Sequence, residues 1–145
     1  MVRNSLMLLV LSIVLVQCRG IRPDDLGVKD GKLKPCPGPP NCVNSQAVDE
    51  RHAIQGFSYT GSPDSARTKL LNLLSNTKDV AIISVKDDYV YTEFSTRLLR
   101  YVDDVEFYIN DQEKIIHVRS ASRLGYSDLG ANRKRIENLR ALWKQ

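Results

Sequence analysis

Hydrophobic and polar positions follow two different periods along this chain. Ala66, Leu70, Leu73 and Leu74 share one face of a 3.6-residue period and are preceded by Ser62, Pro63 and Asp64. That order predicts a helix with Ser62 as N-cap, Pro63 at the first helical position and Asp64 beside the positive end of the dipole. Residues 80–85 and 89–94, separated by a turn at Asp87-Asp88, read as a β-hairpin, and residues 104–109 and 115–120, around a turn at 110–113, read as a second one. Residues 53–59, with Ile54, Phe57 and Tyr59, suit a short first strand. A last helix is expected over 129–143, with Leu129, Ile136, Leu139, Leu142 and Trp143 as its apolar stripe. Helix, four strands and helix with hairpin-length connections argue for an α+β single domain: an antiparallel sheet of four or more strands packed against two helices.

The second hairpin permits a register argument. Pairing Phe107 with Ile116 and Val105 with Val118 keeps both apolar sets on one side, which sets Asp104 opposite Arg119 and Glu106 opposite His117 on the other. Glu93 shares a side of its strand with Tyr89 and Tyr91 and is a candidate to join this charged face. Two readings stay open: a sheet surface neutralised by cross-strand pairs, or a ligand-binding face.

The segment from Arg119 to Arg133 carries Ser120, Ser122, Arg123, Gly125, Ser127, Asp128, Gly130 and Asn132 into the last helix. Free N–H groups and the dipole at a helix N-terminus favour an anion, so Ser120, Ser127, Asp128, Asn132 and the arginines 119, 123 and 133 are ligand-binding candidates together with Glu93, Asp103, Asp104 and Glu106. In the plainer account Ser127 or Asp128 caps the helix and the arginines pair with Asp103, Asp104 and Glu106. The run Gly125 to Gly130 is one residue too long for a Gly-x-Ser-x-Gly nucleophile elbow, and no nucleophile–base motif occurs, so catalytic residues stay unassigned. His52 reads as a locally hydrogen-bonded residue, Trp143 as core, and Arg133-Lys134-Arg135 as a solvated helix face.

Arg3 precedes an apolar run from Leu6 to Val16, broken only by Ser12 and too short for a bilayer, which needs about 20 apolar residues. Residues 1–17 therefore read as an export signal, 18–32 as a polar tether without period, and 33–145 as the folded domain. Leu15-Val16-Gln17-Cys18 resembles the lipobox of bacterial lipoproteins, in which the cysteine is lipidated and becomes the mature N-terminus; Gln17 departs from that pattern, and cleavage after Gly20 is the alternative. The expected location is outside the cytoplasm, tethered by lipid on Cys18 or secreted. Of three cysteines, Cys36 and Cys42 then remain, with five residues between them, and form a disulfide in an oxidising compartment. A metal site from these two with His52 and His117 lacks zinc-finger spacing, so neither metal nor cofactor is expected. With 145 residues, 42% hydrophobic and 26% charged, the chain has the composition of one globular domain. A formal charge of +4, reduced by one when a leader holding Arg3 is removed, is too weak to indicate a nucleic-acid binder.

Cys36-Pro37, Pro40-Asn41-Cys42-Val43-Asn44-Ser45-Gln46, Tyr91-Thr92-Glu93-Phe94-Ser95, Val102-Asp103-Asp104-Val105-Glu106-Phe107 and Val118-Arg119-Ser120-Ala121-Ser122-Arg123, continuing to Asn132-Arg133, together resemble the family catalogued as domain of unknown function 1499. The resemblance covers roughly residue 33 to the C-terminus. It implies a family with exported or lipid-anchored bacterial members and chloroplast relatives, no established activity and no catalytic residues to transfer. Two functions follow: an extracytoplasmic binding or interaction module holding a small polar or anionic ligand, or a small hydrolase or transferase with Glu93, Asp104 or Glu106 as base and Arg119, Arg123 or Arg133 stabilising developing negative charge.

Overall fold

The computed structural model describes residues 19–96 and 100–144; the segment read as an export signal and Cys18 lie outside the described residues. The strands are β1 (Val28–Lys29), β2 (Lys32–Leu33), β3 (Cys42–Asn44), β4 (Phe57–Ser58), β5 (Val80–Val85), β6 (Tyr89–Ser95), β7 (Val102–Asn110) and β8 (Ile115–Ser122); the helices are α1 (Pro63–Ser75) and α2 (Ala131–Trp143). The main sheet is antiparallel in the order β3-β8-β7-β6-β5, with β4 also pairing β8, and β1-β2 form a separate small sheet. The fold is α+β and a single domain, as the alternation of periods predicts.

Helix α1 starts as its sequence dictates. Ser62 Oγ accepts the Ser65 N–H at 3.1 Å, Pro63 follows, and Ala66, Leu70 and Leu74 turn inward. Helix α2 starts later than residue 129. Leu129 (φ 53) and Gly130 (φ 79) are both left-handed, which holds the helix off until Ala131 and leaves the Leu129 side chain in solvent. Leu142 is also half in solvent, so the buried stripe is Asn132, Ile136, Leu139 and Trp143 rather than the five apolar residues expected. Between helices and sheet, Phe57 meets Phe107 and Trp143 edge-on with ring centroids 5.9 and 6.0 Å apart, and the Trp143 indole donates to the Ser58 carbonyl at 2.7 Å.

The β7-β8 register differs from expectation by two residues. Glu106 stands opposite Arg119, Tyr108 opposite His117 and Asp104 opposite Ala121. The cause lies in the turn. Asn110 Oδ1 accepts the N–H groups of Gln112 and Glu113 at 3.1 and 3.2 Å, and Lys114 adopts φ 54. This Asx-capped loop occupies 111–114 rather than the expected 110–113, and moving a four-residue loop along by one residue changes the pairing by two. A two-residue slip preserves side-chain parity, so Val105, Phe107 and Ile109 still face Ile116 and Val118 on the helix side while every charged partner changes.

Residues 19–34, which show no period, lie on the sheet face opposite the helices. Leu26, Val28 and Leu33 pack with Tyr89, Tyr91 and Tyr108. The Leu33 N–H donates to Gln46 Oε1 at 2.8 Å, and Asn44 Nδ2 donates to the Lys34 carbonyl at 3.0 Å. The disulfide joins Cys36 to Cys42 just after this segment.

Candidate functional site

The sheet divides the candidate residues into two networks, because neighbouring residues of a strand point to opposite faces. On the face covered by residues 19–34, Tyr91 pairs with Glu106 and Glu93 with Asp104 across β6-β7, and Glu106 with Arg119 across β7-β8. Arg123, just past the end of β8, reaches back into this layer. Its Nη2 lies 2.6 Å from Asp104 Oδ1, its Nε 2.9 Å from Asp104 Oδ2, and its Nη2 also bonds Glu93 Oε1. Arg119 donates to Glu106 Oε2 at 3.2 Å, and Arg22 approaches Glu93 to 2.6 Å. Three carboxylates thus meet three guanidinium groups.

Four members of this layer, Tyr89, Tyr91, Gly27 and Arg22, were not among the candidates read from sequence. Tyr89 and Tyr91 donate hydroxyl hydrogen bonds to Glu106 (2.8 Å) and Asp104 (2.5 Å), and the Gly27 N–H donates to Glu106 (2.8 Å). The tyrosines were available from strand parity, since they share the side of Glu93. Arg22 and Gly27 carried no signal, because nothing in an aperiodic segment shows that it folds back.

Electrostatics in this layer favours fixed protonation states. Burial pushes the Glu93 carboxyl up, but hydrogen bonds and charge from Arg123 and Arg22 outweigh it and hold the group below the usual carboxylate range. Burial first, then the adjoining carboxylates, push the Tyr89 and Tyr91 hydroxyls well above the ordinary phenol value. Burial lowers Arg123, yet its bonds to Asp104 and Glu93 leave it raised overall. A depressed carboxylate is a weak base, and a raised phenol stays a donor.

The second network faces the helices. Asp103 accepts from Arg135 Nη2 at 2.5 Å, and the same guanidinium lies 4.9 Å over the Phe94 ring. Arg135, read from sequence as part of a solvated face, is therefore the partner of Asp103. Ser120 donates to Asn132 Oδ1, whose amide nitrogen donates to Asn41 O (3.1 Å), Ser122 Oγ (2.9 Å) and Asp128 Oδ2 (2.8 Å). Asp128 also receives the backbone N–H groups of Gly130 and Asn132, and although burial raises its carboxyl these bonds leave it lowered. It satisfies a helix N–H from two residues ahead of Gly130, the cap residue, which makes no side-chain cap bond. Ser127 caps nothing in the helix; its Oγ accepts the Leu129 N–H at 3.2 Å. Among the described residues Arg133 pairs with no carboxylate; it donates to the Ala53 and Arg51 carbonyls at 2.8 and 2.9 Å.

His52 bonds Asp49 and the Pro39 carbonyl, and His117 bonds Ser45 and Glu113 rather than facing Glu106. Beside the second network, Tyr101, Val102, Leu124 and Leu129 together with Asp103, Ser122, Ser127 and Asp128 line a cavity of about 450 Å³. It opens at the end of the sheet where β7 begins and β8 finishes. No curated protein and no solved structure matches the chain. The family described as protein of unknown function, DUF1499, matches residues 32–142, a span that includes both networks but excludes Arg22 and Gly27. With more than half of its length inside that match, the chain belongs to the DUF1499 family.

Proposed function

We propose that this protein is an exported, lipid-anchored binding module, and that its ligand occupies the cavity at the β7-start, β8-end edge of the sheet. The observation that carries the reading is the convergence there of β7, the loop after β8 and the approach to α2 on a single open space. The Cys36–Cys42 disulfide supports an oxidising compartment. The leader and Cys18 support export with lipid on the first mature residue.

The lining favours a ligand with an apolar body and a hydrogen-bond-donating head. Tyr101, Val102, Leu124 and Leu129 offer apolar surface, while Asp103, Asp128 and two serine hydroxyls accept hydrogen bonds. Among the described residues no arginine lines this space, with Arg119 and Arg123 engaged on the other face and Arg133 on carbonyls. The reading keeps the polar ligand expected from sequence. The enzyme alternative has less support, since each carboxylate assigned to it as base is buried against an arginine.

Mass spectrometry of natively purified protein tests the reading. A small molecule retained by the wild type and lost in Ser127→Trp, which fills the cavity from an exposed position, supports it. Identical spectra from the two proteins overturn the binding site, and a first mature residue without diacylglycerol overturns the anchor.

A further inference from the structure

From the anchor proposed above, we infer that the end of the sheet carrying Ile21, Tyr101, Leu124, Tyr126 and Leu129 lies against the lipid bilayer. This rests on lipidation of Cys18. Residues 19–34 are folded onto the sheet, so little free chain separates Cys18 from the domain. At Gly20 the backbone is so close to the loop after β8 that an added Cβ would lie 2.9 Å from the Arg123 Cβ and 3.2 Å from the Leu124 Cγ. Two residues of chain reach at most about 7 Å. A diacylglyceryl group on Cys18 therefore brings the headgroup layer to within about that distance of Gly20, and so to Leu124.

The surface at that point suits a membrane. Residue exposure is 92% for Ile21, 40% for Tyr101, 42% for Leu124, 73% for Tyr126 and 97% for Leu129. These make up half of the large hydrophobic residues exposed among the described residues. They come from three stretches far apart in sequence: Tyr101, Leu124 and Leu129 line one cavity where β7 starts and β8 ends, Tyr126 lies in the loop between the last two, and Ile21 follows Gly20, which sits against Leu124. Leucine and isoleucine beside tyrosine is the composition of an interfacial contact, where tyrosine sits at headgroup level and aliphatic chains go deeper. Arg19 and Arg100, both exposed, flank the patch with charge of the sign that anionic headgroups attract. One lipid attachment gains from such a second contact. The cavity shares Tyr101, Leu124 and Leu129 with this surface, so docking sets its mouth at the bilayer.

The experiment uses full-length lipidated protein reconstituted into phosphatidylcholine vesicles containing one-fifth phosphatidylglycerol, with or without bromine on the acyl chains. Tyr126→Trp reports on the patch; Gln112→Trp, at the exposed tip of the β7-β8 hairpin and at the far end of the sheet, reports on the opposite pole. Trp143 is buried and serves both as a constant background. Diacylglycerol found on Cys18, with brominated lipid quenching and blue-shifting Tyr126→Trp but not Gln112→Trp, is the expected result. Lipid on Cys18 with neither variant quenched overturns the docking and leaves the anchor standing. Absence of lipid on residue 18 overturns the anchor, and the docking with it. Concentration-dependent dimer mass with the Tyr126→Trp emission shifted but unquenched assigns the patch to a second copy of the chain and also overturns the bilayer contact.

Discussion

Arg123 and Asp104 form a two-pronged pair, with Nη2 to Oδ1 at 2.6 Å and Nε to Oδ2 at 2.9 Å, and their side chains are only 6% and 3% exposed. Fork-on-fork geometry gives such a pair both strength and direction. Its burial makes the loss of one partner far more costly than the pair is worth in itself. Arg123→Ala leaves Asp104 and Glu93 inside the protein without their shared cation, and Glu93 keeps the half-exposed Arg22 and the Tyr91 hydroxyl. The expected destabilisation is about 3–5 kcal/mol, read as a lower urea midpoint at unchanged slope. A loss under about 1 kcal/mol would place the pair effectively in solvent.

Arg119 is the weaker case, although it too is buried. Its partner Glu106 retains the Tyr89 hydroxyl and the Gly27 N–H after Arg119→Ala, and the Arg119 Nε is already without a hydrogen-bond partner. The same urea titration should therefore give about 2 kcal/mol, less than for Arg123→Ala. A reversal of this order would contradict the assignment of Arg123 as the centre of the layer.

How far the sequence led is clearest from β7 and β8. Alternation placed Val105, Phe107 and Ile109 on the core face and Asp104 and Glu106 on the other, since parity survives any even slip. It could not choose between registers two residues apart, because that choice lies in the Asn110 side chain and where it places the turn. Asp103 illustrates a second limit. It neighbours Asp104 in sequence and was grouped with it, yet a strand sends the two to opposite sides of the sheet, one to Arg135 and one to Arg123. Arg22 shows a third, since an aperiodic polar segment reads as a tether until its long-range contacts are known.

Stability should decline at both ends of the pH scale. Glu93 titrates lower when folded, so its contribution is present above the unfolded carboxylate value of about 4.3 and is lost as pH falls through the folded value. Tyr89 and Tyr91 titrate higher when folded. Above about 10 the unfolded chain ionises its phenols while the folded chain keeps them protonated, and stability falls as pH rises further. Urea midpoints across pH 3–11 check this, with Tyr91→Phe flattening part of the alkaline limb. A midpoint unchanged between about pH 9 and 11 would show that neither phenol is buried against a carboxylate.

Removing the disulfide should matter little to the fold and more to the loop. Chain-entropy arithmetic for so short a loop gives about 2 kcal/mol, and Pro37, Pro39 and Pro40 already restrict the unfolded segment, which reduces the gain. Replacing Cys36 and Cys42 together by serine is expected to lower stability by about 1–2 kcal/mol while accelerating amide exchange around β3. A loss well beyond that range would mean that the bridge holds the domain together rather than shaping one loop.

Asn132 ties the start of α2 to the paired ends of β3 and β8. It is 1% exposed, and its amide nitrogen reaches the Asn41 carbonyl next to the disulfide, Ser122 at the end of β8 and Asp128 before the helix, while its oxygen accepts from Ser120 and Arg135. Asn132→Ala removes these bonds together and leaves the Ser120 hydroxyl buried without its acceptor. Arg135 keeps Asp103, and the Asn41 carbonyl keeps the Ser122 N–H. The penalty is therefore that of a few orphaned neutral groups rather than of an unpaired charge, about 2–3 kcal/mol, smaller than for Arg123→Ala. Because the lost bonds join β3, β8 and the start of α2, hydrogen exchange should quicken at those three places and leave the β5-β6 hairpin unchanged. Uniform acceleration over the whole sheet would instead mark Asn132 as an ordinary contributor to global stability, with no special hold on the cavity end of the molecule.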